Sequence, residues 1–251
     1  MNKVENSPWR ENKSARCCPT ASISAFQRFS VSAFTLIELL VVVTIIIILM
    51  GILFPVFRGV QDQAKKVQAK NDVTQIVTAV NAYYTDYGTY PLNTNQSGGS
   101  SDTVDGDPNG TYSSADLFDI LRAVPDSNYN SNNQLNSRQV VYFNGPNVKD
   151  PKNPRSGFFT GTSAIANSNG YSIKPGSYVD PWGDEYAVFI DGDYDGQITT
   201  ALGWFYNDYS GGTSNTVRFG VGAVSLGKDG VWGTKNGSHT FAGSDDIGSW
   251  Q

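Results

Sequence analysis

The chain has little of the chemistry on which enzymes rely. Its 251 residues include one histidine and two cysteines, and charged residues make up only 16%. Cys17 and Cys18 are adjacent and near the amino terminus, so the rest of the chain holds no thiol for a disulfide or a nucleophile. No HExxH, GxSxG or P-loop pattern occurs, and His239 lies alone in a Gly/Ser-rich segment. We predict that the protein is not an enzyme.

A surplus of positive charge is also missing. The chain has 18 Lys and Arg against 23 Asp and Glu, which gives a formal net charge of −5. Nucleic-acid-binding domains usually present a basic patch to the phosphate backbone. The charge balance therefore predicts no nucleic-acid partner.

One long apolar run dominates the amino-terminal part of the sequence. Residues 39–57 are 19 consecutive positions without a charge. As a helix this run is about 28 Å long, close to the thickness of the hydrocarbon core of a bilayer. Small residues, ending in Ala33, precede the run, whereas in a secretory signal peptide they follow it. We therefore predict one membrane span over 34–57 that stays on the protein.

The residues around this run carry a family resemblance. Residues 33–42, AFTLIELLVV, resemble the cleavage signal of type IV prepilins and pseudopilins. The resemblance implies that a prepilin peptidase removes residues 1–33 as a leader and methylates the new amine of Phe34. The family normally has glycine before the cut, where this chain has Ala33. Glu38 becomes the fifth mature residue, where the family keeps a glutamate. Pro55 matches a proline that kinks or melts the family's helix.

Helical periodicity continues beyond the span, over residues 58–91. Apolar residues recur at spacings of three and four, which predicts an amphipathic helix that needs a sheet to cover it. They are Val73, Ile76, Val77, Val80, Tyr83, Tyr84 and Tyr87. Gly88 and Pro91 end the pattern, so the complete helix is predicted over 34–87.

The globular part is predicted over residues 92–251. A polar insertion at about 93–175 includes a short helical pattern at 115–124, and we expect its first part, 93–137, to lie on the surface. Candidate strands are 140–143, 186–190, 202–206 and 217–226, separated by Gly/Asp turns. A long helix followed by a small antiparallel sheet is an α+β fold of the pilin type.

Two carboxyl-terminal segments narrow the resemblance. Residues 178–186, YVDPWGDEY, resemble the DPWG signature of the major, G-type pseudopilins of type II secretion. Residues 225–230 and 244–250 resemble the calcium loop of that family. Asp229, Asp245 and Asp246 would repel one another, and Lys228 offsets that charge only in part. A Ca²⁺ ion held by these carboxylates and the Leu226 carbonyl would remove the repulsion.

A second acidic segment has two interpretations. Asp191, Asp193, Asp195 and Gly196 form the DxDxDG opening of an EF-hand loop. Leu202 stands at the twelfth position, where that loop needs a glutamate. We favour a turn over a second ion site.

The resemblance implies a structural subunit that assembles itself into a helical filament, the pseudopilus of a type II secretion system. Phe34, Glu38 and Pro55 are the implied assembly residues. Implied partners are the prepilin peptidase, the inner-membrane secretion platform and the minor pseudopilins. The implied location is the bacterial inner membrane, with a single span and a periplasmic globular domain. The alternatives are a type IV pilin for adhesion, motility or DNA uptake, and an anchored surface protein whose insertion binds a ligand.

Overall fold

A computed structural model of the chain describes residues 34–92, 102–106, 113–125, 130–167, 169–199, 216–233, 241 and 243–250. The chain divides into two units, Met1–Gly51 and Ile52–Gln251. The first unit contains the start of a long helix. The second contains the rest of that helix and the described sheets. The α+β class predicted from the sequence is confirmed.

The long helix, α1, spans Leu36–Tyr87 and has 52 residues. The predicted helix is confirmed apart from two residues at its start. Gly88 ends α1 in a left-handed conformation (φ 71°), and its N–H donates to the Tyr84 carbonyl at 2.8 Å, a common way to terminate a helix. Pro55 lies inside these bounds, and the helix continues through it rather than melting.

The apolar part of α1 leaves its side chains exposed. Its described large hydrophobic residues, from Leu36 to Phe57, are 45–82% exposed, and Phe34, just before the helix, is 69% exposed. By length and composition α1 is able to cross a membrane, and it is the one such helix among the residues described. An apolar surface of this extent needs lipid or other protein to cover it.

The second part of α1 buries one stripe. Val73, Ile76, Val80 and Tyr83 are buried, as their spacing predicts, and Val77 and Tyr87 pack against them while partly exposed. Tyr84 departs from this pattern, because it is exposed and stacks on Tyr90 with ring centroids 4.6 Å apart.

A four-stranded antiparallel sheet forms the centre of the second unit. Its strands, in spatial order, are β1 (Thr103–Asp105), β6 (Ala187–Ile190), β9 (Val221–Ser225) and β10 (Ile247–Gly248). Alternate side chains of β6 enter different apolar clusters. Val188 and Ile190 join the cluster that contains the α1 stripe, and Ala187 and Phe189 join the cluster on the other face. Both faces of β6 are buried, which explains its uninterrupted apolar sequence.

Three small antiparallel pairs complete the described strands. They are β2 (Gly157–Phe158) with β5 (Tyr178–Val179), β3 (Ile165–Ala166) with β4 (Ser172–Ile173), and β7 (Ile198–Thr199) with β8 (Thr216–Val217). The predicted strand at 186–190 is confirmed as β6. The strand predicted at 217–226 is two strands, β8 and β9. The one predicted at 202–206 lies outside the described residues.

The strand predicted at 140–143 is wrong. The Asn136 side chain donates to the Val140 carbonyl at 2.8 Å and accepts from the Val140 N–H at 3.1 Å. The Tyr142 N–H donates to the Leu121 carbonyl at 2.8 Å. These partners take hydrogen bonds that a neighbouring strand would supply, so the segment does not join a sheet.

The expectation that residues 93–137 lie on the surface is wrong for helix α2, Ser114–Leu121. Leu117, Phe118, Ile120 and Leu121 are buried in the same cluster as the α1 stripe. The Ser113 side chain caps the helix by accepting from the Ala115 N–H. This part of the insertion therefore belongs to the core.

Candidate functional site

The start of α1 is closed by a reciprocal cap. The Thr35 N–H and Oγ1 both donate to Glu38 Oε2, at 2.8 and 2.7 Å, and the Glu38 N–H donates to Thr35 Oγ1 at 3.3 Å. This is a capping box, in which threonine and glutamate three residues apart satisfy the free amides of the first turn. The T-x-x-E spacing in the sequence is itself a signal for this cap. The family resemblance implies an assembly role for Glu38 and none for Thr35. Ala33, before the expected cut, lies outside the described residues.

The DPWG segment forms a buried turn between β5 and β6. Asp180 is fully buried, and its Oδ1 accepts from the N–H groups of Trp182, Gly183 and Asp184 at 2.8, 2.7 and 3.0 Å. Its Oδ2 accepts from Ser225 Oγ at 2.6 Å. Burial, and then the Asp184 carboxylate, raise the pKa of Asp180 to about 7, while these donors act in the opposite direction. The signature aspartate thus fixes its own turn to the end of β9.

The carboxyl-terminal loop, residues 226–246, begins directly after the contact between Asp180 and Ser225. β10 pairs with β9 through Ile247 and Ser225, so the adjoining residues, Asp246 and Leu226, leave the sheet beside each other. Asp245 Oδ2 accepts from the N–H groups of Lys228 and Asp229, at 2.5 and 3.1 Å. The Asp245 carboxylate thus ties the returning segment to the backbone at the start of the loop.

Two glycines allow the loop to close tightly. Gly227 has φ 69°, and a Cβ there would lie 2.3 Å from the Asp245 carbonyl oxygen. Gly230 has φ 64°, and a Cβ there would lie 2.7 Å from Asp184 Oδ2. Any other residue would push the two ends of the loop, or the DPWG turn, apart.

Asp246 provides the strongest test of whether the loop suits a cation. Its Oδ2 accepts from the Gly233 N–H at 2.8 Å, whereas its Oδ1 is buried and meets no hydrogen-bond partner in the described part of the chain. Burial raises the pKa of the Asp246 carboxyl to about 7, and Asp245 and Asp229 add to this increase. A hard cation would satisfy the free oxygen and relieve the repulsion, so the donor set fits Ca²⁺.

Lys228 has a different role from the one predicted. Its Nζ lies 2.8 Å from Asp62 Oδ2 on α1, in an ion pair whose two side chains are largely exposed. Lys70 Nζ, also on α1, donates to the Gly248 carbonyl at 2.9 Å. The Lys228 ammonium thus helps to attach the loop to α1, and such an exposed pair adds little stability.

Residues of the insertion that the sequence did not indicate also border the loop. Asn169 Nδ2 donates to the carbonyls of Asp229 and Gly230, at 3.3 and 3.1 Å. Asn167 Nδ2 donates to Asp184 Oδ1. Nothing in the sequence pattern marks these asparagines, because their contacts depend on the β3–β4 hairpin.

The DxDxDG segment forms a turn after β6. Asp191 Oδ2 accepts from the Gly196 N–H at 2.9 Å, and Asp195 Oδ1 accepts from the Gln197 N–H at 2.8 Å. The ends of β1 and β6 bring Asp102 to the same place. Leu202 and His239 lie outside the described residues.

Comparison with known proteins supports the resemblance at the amino terminus. Residues 28–54 match the prokaryotic N-terminal methylation motif. The type II secretion system core protein G of Pseudomonas aeruginosa is 43% identical over 65 residues, which are 26% of this chain and 46% of that protein. The match therefore spans about half the length of the curated relative, and no solved structure matches significantly. The amino-terminal part of this chain is therefore similar to that of type IV pilin-like pseudopilins, and it carries a methylation motif on a long helix that leads into an α+β domain.

Proposed function

We propose that the protein is a structural subunit of a pseudopilus that drives protein export by a type II secretion system. The methylation motif at the start of an exposed apolar helix is the observation that carries this proposal. The similarity to core protein G and the buried DPWG turn beside the carboxyl-terminal loop support secretion rather than adhesion or motility.

The mechanism uses binding and packing only. The subunit waits in the inner membrane with its globular domain in the periplasm, and the apolar part of α1 holds it there. The secretion platform then moves it into a helical filament, where apolar helices of neighbouring subunits replace lipid around residues 34–57. Minor pseudopilins share this assembly. The growing filament moves folded substrates towards the outer membrane.

Processing provides the direct test of this proposal. Mass spectrometry of the protein from native membranes is expected to find a chain that starts at Phe34 and carries one added methyl group. An apolar segment that is kept, with its new amine methylated, is specific to prepilin-type maturation. An intact leader, or a cut beyond Phe57, would refute the proposal.

We also propose that the carboxyl-terminal loop binds Ca²⁺ through Asp229, Asp245, Asp246 and the Leu226 carbonyl. The buried, unpaired Asp246 Oδ1 supports this assignment within the described residues. The ion would hold the loop closed in the periplasm. Its role is structural, since it would reinforce the contact between the loop and the end of β9.

Calcium is expected to raise the melting temperature of the full-length protein in detergent. With the ion at ~100 times its dissociation constant, the folded state gains about 2.7 kcal/mol, a shift of roughly 5–10 °C for a domain of this size. We expect Asp229→Ala to lose the part of this gain that the carboxyl-terminal loop supplies, and Asp150→Asn, an exposed control, to keep the whole gain. If calcium shifts the melting temperature of Asp229→Ala as much as that of the wild type, this loop is not the site.

A further inference from the structure

A second group of carboxylates meets where two strands leave the central sheet. Thr103 of β1 pairs with Ile190 of β6, so Asp102 and Asp191, the adjoining residues, leave the sheet side by side. Carboxylate oxygens of Asp102, Asp191 and Asp193 all lie within 4.8 Å of one another. Three negative charges this close are unfavourable unless protons or a cation neutralise them.

One oxygen of this group meets no hydrogen-bond donor in the part of the chain that the structure describes. Asp191 is only 3% exposed, and its Oδ2 accepts from the Gly196 N–H. Its Oδ1 is buried without a hydrogen-bond partner among the residues that the structure describes. A buried polar atom without a partner costs free energy, and native proteins leave few of them. This oxygen is thus a vacant acceptor in a cluster of negative charge.

The loop that follows Asp191 has the spacing of a calcium-binding loop. Aspartates occupy its first, third and fifth positions, and Gly196, with φ 78°, occupies the sixth, where such loops need a glycine. In the structure the first aspartate fixes the loop by accepting from that glycine, which directs the chain back around the carboxylates.

Asp102 supplies the acid that the loop itself lacks. The twelfth position of the motif holds Leu202 instead of glutamate. Asp102 enters from β1, where its Oδ1 accepts from the Gly192 N–H at 3.3 Å and its Oδ2 accepts from the Thr199 N–H. These amides hold its carboxylate against the loop on both sides. Asp102 is therefore a neighbour of Asp191 in the structure although the two residues are far apart in the sequence.

We propose that Asp102, Asp191 and Asp193 bind a divalent cation, calcium, that joins β1 to β6. The ligands are all oxygen atoms in an irregular loop, which suits calcium better than zinc, an ion that prefers nitrogen and sulfur. β1 has three residues and is an outer strand of the described sheet, so the ion would strengthen an attachment that only three paired residues provide.

The first test is calcium titration calorimetry on the full-length protein in detergent, after treatment with chelator. The wild type is expected to bind this ion with a dissociation constant on the order of 10⁻⁴–10⁻³ M. Asp193→Asn keeps the shape of an exposed side chain but removes one ligand charge, and it is expected to weaken this binding event about tenfold or more. Asp102→Asn is expected to do the same. Asp245→Asn is the matched control, because it alters the carboxyl-terminal loop and leaves this event intact.

Hydrogen exchange at residues 103–105 gives a local readout of the same site. Calcium is expected to slow exchange of these amides in the wild type and in Asp245→Asn, but not in Asp193→Asn. Unchanged calcium affinity and stoichiometry in both Asp193→Asn and Asp102→Asn would overturn the proposal. So would an Asp193→Asn variant that is more stable than the wild type in chelator and binds calcium equally well, because the carboxylates would then share a proton instead.

Discussion

Glu38→Ala is expected to reduce filament assembly and secretion at least about tenfold while leaving cleavage before Phe34 intact. Without Glu38 the ammonium of Phe34 is left unpaired, and an unpaired charge in an apolar core is strongly unfavourable. Cleavage creates an ammonium on Phe34, next to the residue that Glu38 already contacts. In the filament we expect the Glu38 carboxylate to neutralise that ammonium, in the same subunit or in a neighbour. The pair then fixes how far one helix advances past the next.

Two variants separate this role from helix capping. Glu38→Gln keeps an acceptor for the Thr35 N–H but has no charge, whereas Thr35→Val removes the hydroxyl and keeps the charge. Charge pairing predicts that Glu38→Gln assembles as poorly as Glu38→Ala and that Thr35→Val assembles better. The measurements are the yield of sheared filaments, secretion of a reporter substrate, and the mass of the processed subunit. Normal filament yield from Glu38→Gln would refute charge pairing.

Phe118→Ala is expected to be the most damaging single change in the globular unit. Phe118 is 0% exposed, and its ring lies 5.2, 5.7 and 5.6 Å, centroid to centroid, from Phe143, Phe158 and Tyr178. Removing a buried phenyl ring costs about 3–5 kcal/mol because a cavity remains. That corresponds to a melting temperature roughly 6–20 °C lower for a domain of this size.

Val141→Ala is the control for Phe118→Ala, because it truncates a side chain that is 55% exposed in the same insertion. We expect it to change the free energy of unfolding by less than about 0.5 kcal/mol. Thermal unfolding of the full-length protein, followed by circular dichroism, compares the two. Equal melting temperatures for Phe118→Ala and the wild type would mean that α2 is not part of the folding core.

The elements that the sequence predicted well are those with a strong apolar period. The stripe of α1 and the apolar run of β6 each determine one type of element, and both are confirmed. The T-x-x-E pattern of the capping box is also present in the sequence. We did not predict the cap, because Glu38 was assigned to filament assembly alone.

The core position of α2 could not be predicted, because polar residues surround it in the sequence. Asn136 is fully buried, and its side chain donates to the carbonyls of Ile120 and Val140. The Asn136 side chain supplies hydrogen bonds that backbone groups would otherwise supply. A pattern of hydrophobic residues does not predict that a polar side chain is buried in this way. Asp102 and Asp191 meet only because β1 pairs with β6, and a pairing between distant segments leaves no local signal.

The short outer strands of the central sheet have a consequence for crowding. β1 has three residues and β10 has two, so each presents only a short outer edge to a second sheet. Long exposed edges allow sheets of different molecules to join and aggregate. Subunits that line a filament hold their globular domains at very high local concentration. In the proposed filament, edges this short would let the globular domains lie side by side without joining through their sheets, which leaves the order of the subunits to contacts between their helices.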